Sequence, residues 1–250
     1  MLGLGATNLK GGAAGIYSPI YSMDFGDDTE NDLAYWLMPH ANIDLNPWHE
    51  GTWSIHMWIK PTDEGTISPI YTHADTSTDG LQIYLGTDEK LNVKVNNVTK
   101  TASSACTAGA WNHIFIMKDP VGNDLKAWLN GSSVISDLSF TEDSDVITGY
   151  RYLGYNANFS VNARNYSGKI FDWAIWRSDK SSDIAAIYNG GKAQDMRAFS
   201  PEIWYSFGNS PYDTSSAVFN IINPAGNKAK VQSQTSGVTA SLAEDTPTIG

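Results

Sequence analysis

Three kinds of side chain in this 250-residue sequence could do chemistry: neighbouring carboxylates, five histidines, and the rings of nine tryptophans and twelve tyrosines. Adjacent carboxylates can act as general acid and base or cage a divalent cation. They occur as Asp27-Asp28, Asp63-Glu64, Asp88-Glu89 and Glu142-Asp143-Ser144-Asp145. Each cluster falls in a polar turn segment and none inside a strand, which reads as solvated loop charge. His40 and His49 flank "HANIDLNPWH" without the spacing of a zinc site. His56 and His113 lie in strand-like runs and read as hydrogen-bonded structural residues. Cys106, the one cysteine, sits among small residues in "TASSACTAGA" and reads as a buried filler, not a nucleophile. A Gly-x-Ser-x-Gly elbow and the glycine-rich phosphate loops are both absent. Rings remain. An exposed aromatic can stack on the C–H face of a sugar, and Trp58, Tyr150, Tyr152 and Tyr155 are the best placed to do so. Most aromatics in a chain of this kind are core.

The elements that must position these residues are short and extended. "WSIHMWIKP" alternates, with Trp53, Ile55, Met57 and Ile59 pointing one way and Ser54, His56, Trp58 and Lys60 the other, until Pro61 stops it. "LQIYLG", "LNVKVNNVT", "WNHIFIMKD" and "LKAWLNGSSVIS" follow, and Asn130-Gly131 in the last marks a type I′ hairpin. "VITGYRYLGYN", "GKIFDWAIW", "WYSFG", "AVFNII" and "AKVQSQTSGVTASL" complete the series. Strands about ten residues apart with turns between them predict a sandwich or jelly roll. The one helix is expected over Ser181–Asn189, capped by Ser181 or Ser182 at its start and Gly190 at its end, with Ile184 and Ile187 on one face. It should lie on a sheet edge as a clasp beside the Trp-rich strand, which is itself expected to be central and covered on both faces.

A net charge of −11, with no cluster of Lys or Arg, argues against nucleic-acid or anionic membrane partners. No stretch approaches the ~20 apolar residues of a membrane span. A lone cysteine permits no internal disulfide. Residues 1–15, "MLGLGATNLKGGAAG", lack the basic start and apolar core of a signal peptide and read as a flexible Gly/Ala-rich arm. Its Leu2, Leu4 and Leu9 cannot be buried within the arm itself, so the arm is expected to dock on another copy of the chain or another protein. Residues 16–250 show no linker and are expected to form a single domain.

In their order, "WSIHMWIKP", the Trp-x-His-Ile start of "WNHIFIMKD", the "GNDLKAWLNG" hairpin, "YLG" and "SGKIFDWAIWRSDKSSDIAAIYNGG" resemble the laminin-G-like or concanavalin A-like jelly rolls of the lectin/glucanase superfamily. The resemblance covers roughly residues 20–195. It departs where Phe171 takes the first acidic place of the closing strand and leaves Asp172, and where "MDFGDDTEND" keeps an acidic loop without the usual aromatic after it. The family implies an all-β, two-sheet antiparallel sandwich with one short helix. It implies calcium at the sandwich rim as one option, for which Asp24, Asp27, Asp28 and Asp32 supply carboxylates. Glycan hydrolases of the superfamily carry a Glu-x-Asp-x-x-Glu strand, and nothing here matches it, so no enzymatic activity is expected.

The opening "MLGLG" is also similar to small virion-associated proteins of marine bacteriophages, which fold in a host cytosol and leave by lysis. Together these likenesses lead to the expectation of a virion surface protein, a capsid decoration or fibre subunit, on a lectin-like jelly roll that contacts host surface glycans. A calcium-dependent lectin without a structural role is the alternative, and a diverged glycan hydrolase or lyase a further one.

Overall fold

A computed structural model describes residues 19, 22–26, 34–38, 51–62, 65–74, 76, 79–119, 124–137, 139, 151–156, 165–207, 217–219, 228–233, 241–243 and 245–248. The first strands in chain order are β1 (Ser22–Asp24), β2 (Ala34–Met38), β3 (Trp53–Pro61), β4 (Ser68–His73), β5 (Leu81–Leu85) and β6 (Lys90–Val95). Next come β7 (Val98–Ala105), β8 (Asn112–Lys118), β9 (Leu125–Leu129), β10 (Ser132–Ile135), β11 (Arg151–Leu153) and β12 (Gly168–Trp176). A helical segment, α1 (Ile184–Tyr188), precedes β13 (Ile203–Tyr205), β14 (Ala217–Phe219), β15 (Lys228–Ser233) and β16 (Ser241–Ala243). The arm, residues 1–15, lies outside the described residues.

These strands form two antiparallel sheets. The first runs β10-β9-β8-β3-β12-β1-β16, with β13 also pairing with β12, and the second runs β14-β15-β2-β11-β4-β5-β6-β7. The expected all-β two-sheet architecture is what is found. Period-two alternation decides which residues meet between the sheets. Trp53, Ile55, Met57 and Ile59 of β3 share one buried cluster with Leu81, Ile83 and Leu85 of β5 and Leu91, Val93 and Val95 of β6. Ile170, Trp173 and Ile175 of β12 and Leu129 of β9 join it from the first sheet.

The Trp-rich strand is central, as its composition suggests. Its register against β3 shifts between Phe171 and Ala174. On its other edge, β1 pairs with the first half and β13 with the second. The bulge leaves Ile170, Trp173 and Ile175 inside, while Phe171, Ala174 and Trp176 face outward in separate apolar clusters. A strand apolar on both faces needs a cover on both. The outer cover is residues 177–207. Ile184 and Ile187 of α1, with Met196 and Trp204, bury against Phe115, Met117 and Trp176. The clasp therefore lies over the interior strands β8 and β12, not along a sheet edge, because that is where outward Phe115 and Trp176 need shelter.

The helix is shorter than its sequence suggests. Residues Ser181–Asp183 form a 3-10 turn and only Ile184–Tyr188 are α-helical. Neither serine caps it; the Asp179 carboxylate accepts from the Ser181 N–H at 2.7 Å. Asn189 itself takes the left-handed C-cap conformation, one residue ahead of Gly190. A second correction concerns "LNVKVNNVT", which is not one strand. Asn96 adopts φ 51° and folds the run into the β6–β7 hairpin; asparagine tolerates that conformation better than most residues. Trp111 is half-buried and packs on the outward cluster of Trp58, Phe171 and Ala193.

Asn130-Gly131 makes the expected turn, with φ 50° and 76°. Gly131 is needed for a second reason. A Cβ there would lie 2.7 Å from Cδ1 of Tyr188, so the β9–β10 turn and the last helical residue fit only without a side chain. Gly190 (φ 62°) has open space around its missing Cβ. Gly190→Ala should cost about 1 kcal/mol for its backbone conformation alone. Gly131→Ala should cost a further ~1–3 kcal/mol from overpacking. Urea unfolding of the two variants side by side checks the difference, and equal losses would contradict the Tyr188 contact.

Candidate functional site

Titratable side chains converge beneath the clasp. The bulge of β12 holds Asp172 at φ 58° and fully buried. Its Oδ1 accepts the Trp204 indole N–H from β13, and its Oδ2 lies 3.3 Å from His56 Nε2 on β3. His56 Nδ1 is 2.8 Å from His113 Nε2 on β8. These partners fix the proton positions. A carboxylate only accepts, so His56 Nε2 carries a proton, its Nδ1 accepts, and His113 Nε2 donates. His113 Nδ1 is then a bare acceptor, in keeping with its having no hydrogen-bond partner. Both histidines occupy strands in the hydrogen-bonded role their sequence context suggests.

A carboxylate orienting an imidazole is half of a catalytic triad, yet here a second imidazole stands where a nucleophile would be. His56, His113 and Asp172 are all at 0% exposure, and Trp58 stacks on Tyr188 outside them, centroids 6.1 Å apart. The arrangement orients groups and cannot meet a substrate. Burial drives the His56 pKa down to about 3 against the raising effect of Asp172. Burial, and then His56, holds His113 well below the usual histidine range.

The sign follows. Histidines that take up protons only when unfolded leave stability intact above pH ~6.5 and lower it as pH falls below, by up to ~1.4 kcal/mol per pH unit for each. Urea midpoints should decline between pH 7 and pH 4.5, and His113→Gln, though less stable at pH 7, should show a shallower decline. An equal slope in the variant would contradict a neutral buried His113.

The outward face of the second sheet is built differently. Leu81, Ile83, Leu91 and Val93 face the core. Alternation therefore sends Gln82, Tyr84, Asn92 and Lys94 outward. The register aligns Tyr152 of β11, Thr72 of β4, Gln82 of β5, Lys94 of β6 and Thr99 of β7 in one continuous row. A second row runs Tyr84–Asn92–Thr101, in which the Thr101 hydroxyl donates to Asn92 Oδ1 at 2.6 Å. Thr72 and Gln82 are buried, with Asn156 Nδ2 donating to Gln82 Oε1 at 3.0 Å. Tyr84, Lys94 and Tyr152 are half-buried, and Thr99 and Thr101 exposed. The surface thus opens from a covered centre toward β7.

The four aromatic candidates fare unequally. Trp58 is 1% exposed, sealed on the opposite side of the molecule by Tyr188, and has no free face for a ligand. Tyr155 is buried as well, edge-on to Tyr152 with centroids 5.2 Å apart. Tyr152 stands in the polar row, and Tyr150 lies outside the described residues. Period-two reading of "LQIYLG" and "LNVKV" places Gln82, Tyr84, Asn92 and Lys94 on one outward face.

Of the proposed calcium ligands, Asp27, Asp28 and Asp32 lie outside the described residues. Asp24 is the last residue of β1 and not a loop residue, and its Oδ1 accepts from the Gly26 N–H at 2.9 Å. Among the described residues no group of three or more His, Cys, Asp or Glu could hold a metal ion. Cys106 is 5% exposed and burial, then Glu89, pushes its thiol up to about 12, so it is a filler as expected. Among the described residues no helix is long and apolar enough to cross a membrane.

The fold is shared. The chain is similar to a presumed carbohydrate binding protein from Bacteroides ovatus, with TM-score 0.64 and 12% identity, over 92% of this chain and 61% of that one. It thus spans about three fifths of that protein's length. It is also similar to the heptameric SAP-like pentraxin of Limulus polyphemus, with TM-score 0.51 and 15% identity, over 68% of this chain and 82% of the pentraxin. At such identities the likeness is one of fold. No curated protein matches the chain. The laminin-G family model matches residues 38–186, which is more than half of the sequence. With two antiparallel sheets, a helical clasp and that match, the chain belongs to the concanavalin A-like lectin/glucanases superfamily.

Proposed function

We propose that the chain is a non-enzymatic glycan-contacting module, working through the outward face of the second sheet as part of a virion surface. The observation that carries the reading is the asymmetry of the two outward faces. That of the first sheet is closed by apolar packing under residues 177–207. That of the second carries aligned rows of hydroxyl, amide, ammonium and phenol groups. Sugars are held by such convergent polar groups together with a ring that stacks on their C–H face, and Tyr84 and Tyr152 are the rings in those rows.

The absence of the Glu-x-Asp-x-x-Glu strand and the closure of the Asp172–His56–His113 cluster favour binding over hydrolysis. The virion setting, as a capsid decoration or fibre subunit, rests on the sequence likeness of the opening "MLGLG" and on an arm whose leucines need a partner. In that setting residues 1–15 would join the module to other virion proteins or to further copies of itself.

A glycan array probed with the intact chain, with and without EDTA, tests the reading. Binding that persists in EDTA is expected, with Tyr84→Ala and Tyr152→Ala each weakening it about tenfold, the value of one ring contact. Binding untouched by either change would refute this face as the site. Loss in EDTA would select the calcium-rim lectin instead, and reducing sugar released from the array glycans would select the hydrolase.

A further inference from the structure

Lys60 of β3 and Lys169 of β12 are direct cross-strand partners. Two like charges facing each other across a strand pair repel. An anion between them relieves the repulsion, and it comes from far along the chain. Asp245 Oδ2 accepts from both Nζ atoms at 2.8 Å, and its Oδ1 accepts from the Trp111 indole N–H at 3.1 Å. Three residues on, the Thr248 carbonyl accepts from the Ala193 N–H at 2.7 Å. Residues 245–248 thus run as a strap from the lysine pair to the aromatic cluster of Trp58, Trp111 and Phe171, in which Ala193 is packed.

The receiving groups stand on segments other than the strap. Lys60 and Lys169 stand on central strands, Trp111 immediately precedes β8, and Ala193 is buried. The ion pairs, in contrast, are part-exposed: Lys60, Lys169 and Asp245 keep 29%, 25% and 27% of their side-chain exposure. Water and salt compete for contacts of that kind.

We propose that Lys60, Lys169, the Trp111 indole and the Ala193 N–H form a seat for an extended acidic peptide, which the chain's own residues 245–248 occupy in cis. A carboxylate alone would satisfy the lysines. The backbone donor three residues further on makes a peptide the ligand that fits, one with an aspartate and, after it, an exposed carbonyl. The seat lies on the first sheet and is independent of the glycan reading. Burial opposes the Asp245 charge, but Lys169, Lys60 and Trp111 outweigh it and hold the carboxyl down to about 2. A depressed carboxylate gives full hold above pH ~4 and loses it as pH falls through about 2.

The test uses the full chain with Asp245→Ala and follows the Trp111 indole N–H resonance, assigned by its absence in Trp111→Phe. Titration with acetyl-Glu-Asp-Thr-Pro-Thr-amide should give a saturable shift. The same peptide with Asn for Asp should bind at least tenfold more weakly, and wild type, its seat filled, should respond at least tenfold more weakly than the variant. Lys169→Gln in the Asp245→Ala background should abolish the shift. Equal response to the Asp and Asn peptides, or none to either, would overturn the proposal, as would a shift with glucuronate where the acidic peptide gives none. Should Asp245→Ala lose its dispersed spectrum, Asp245→Asn takes its place under the same criteria.

Discussion

A carboxylate at zero exposure must be given donors, and the arrangement of the first sheet follows from giving them to Asp172. An aspartate in a regular position of β12 would point to one face or the other between tryptophans. The bulge and the left-handed backbone turn it toward Trp204 on one neighbouring strand and His56 on the other. Three chain segments are thereby fixed in register: β3, β12 and β13. His113 then extends the line of hydrogen bonds to β8, so four strands of one sheet share one polar thread through an apolar layer. Removing the carboxylate would leave two buried donors without acceptors, a larger penalty than losing any apolar contact of similar size.

The same residues explain the cover. Bulging β12 sends Phe171 and Trp176 to the outside, and an outward aromatic pair on central strands cannot be left wet. The segment between β12 and β13 is long enough to fold back as the clasp, and its own return strand supplies Trp204. Tyr188 at the end of α1 seals Trp58 and His113 and is itself admitted by Gly131. Clasp, first sheet and second sheet make three layers, and the outer face of the second sheet stays polar.

The sandwich was legible in the sequence because alternation and turn chemistry are local. β3, the Asn130-Gly131 hairpin and the central, doubly covered β12 all follow from spacing within a dozen residues. Contacts between distant segments were not legible. Nothing near His56 indicates that its partner is Asp172, or near Lys60 that its counter-ion is Asp245. The misreadings have the same root. Trp58 looked like an exposed ring because alternation predicts which face a residue takes but not what covers that face. Asp24 looked like a loop residue because its pairing with β12 and β16 involves strands from the far end of the chain.

The placement of β1 has a consequence for synthesis on the ribosome. Among the described residues β1 pairs with β12 and β16, although about 140 residues or more separate it from either in the sequence. β3, next but one in the first sheet, must likewise wait for β8 and β12. Early strands of the first sheet therefore emerge long before their neighbours exist, whereas β4 to β7 of the second sheet pair in order as they appear. The hairpins of the second sheet can form on the nascent chain. The first sheet closes only after residue 243 is made, so its completion trails the hairpins of the second sheet and carries the slow step expected of long-range strand pairing.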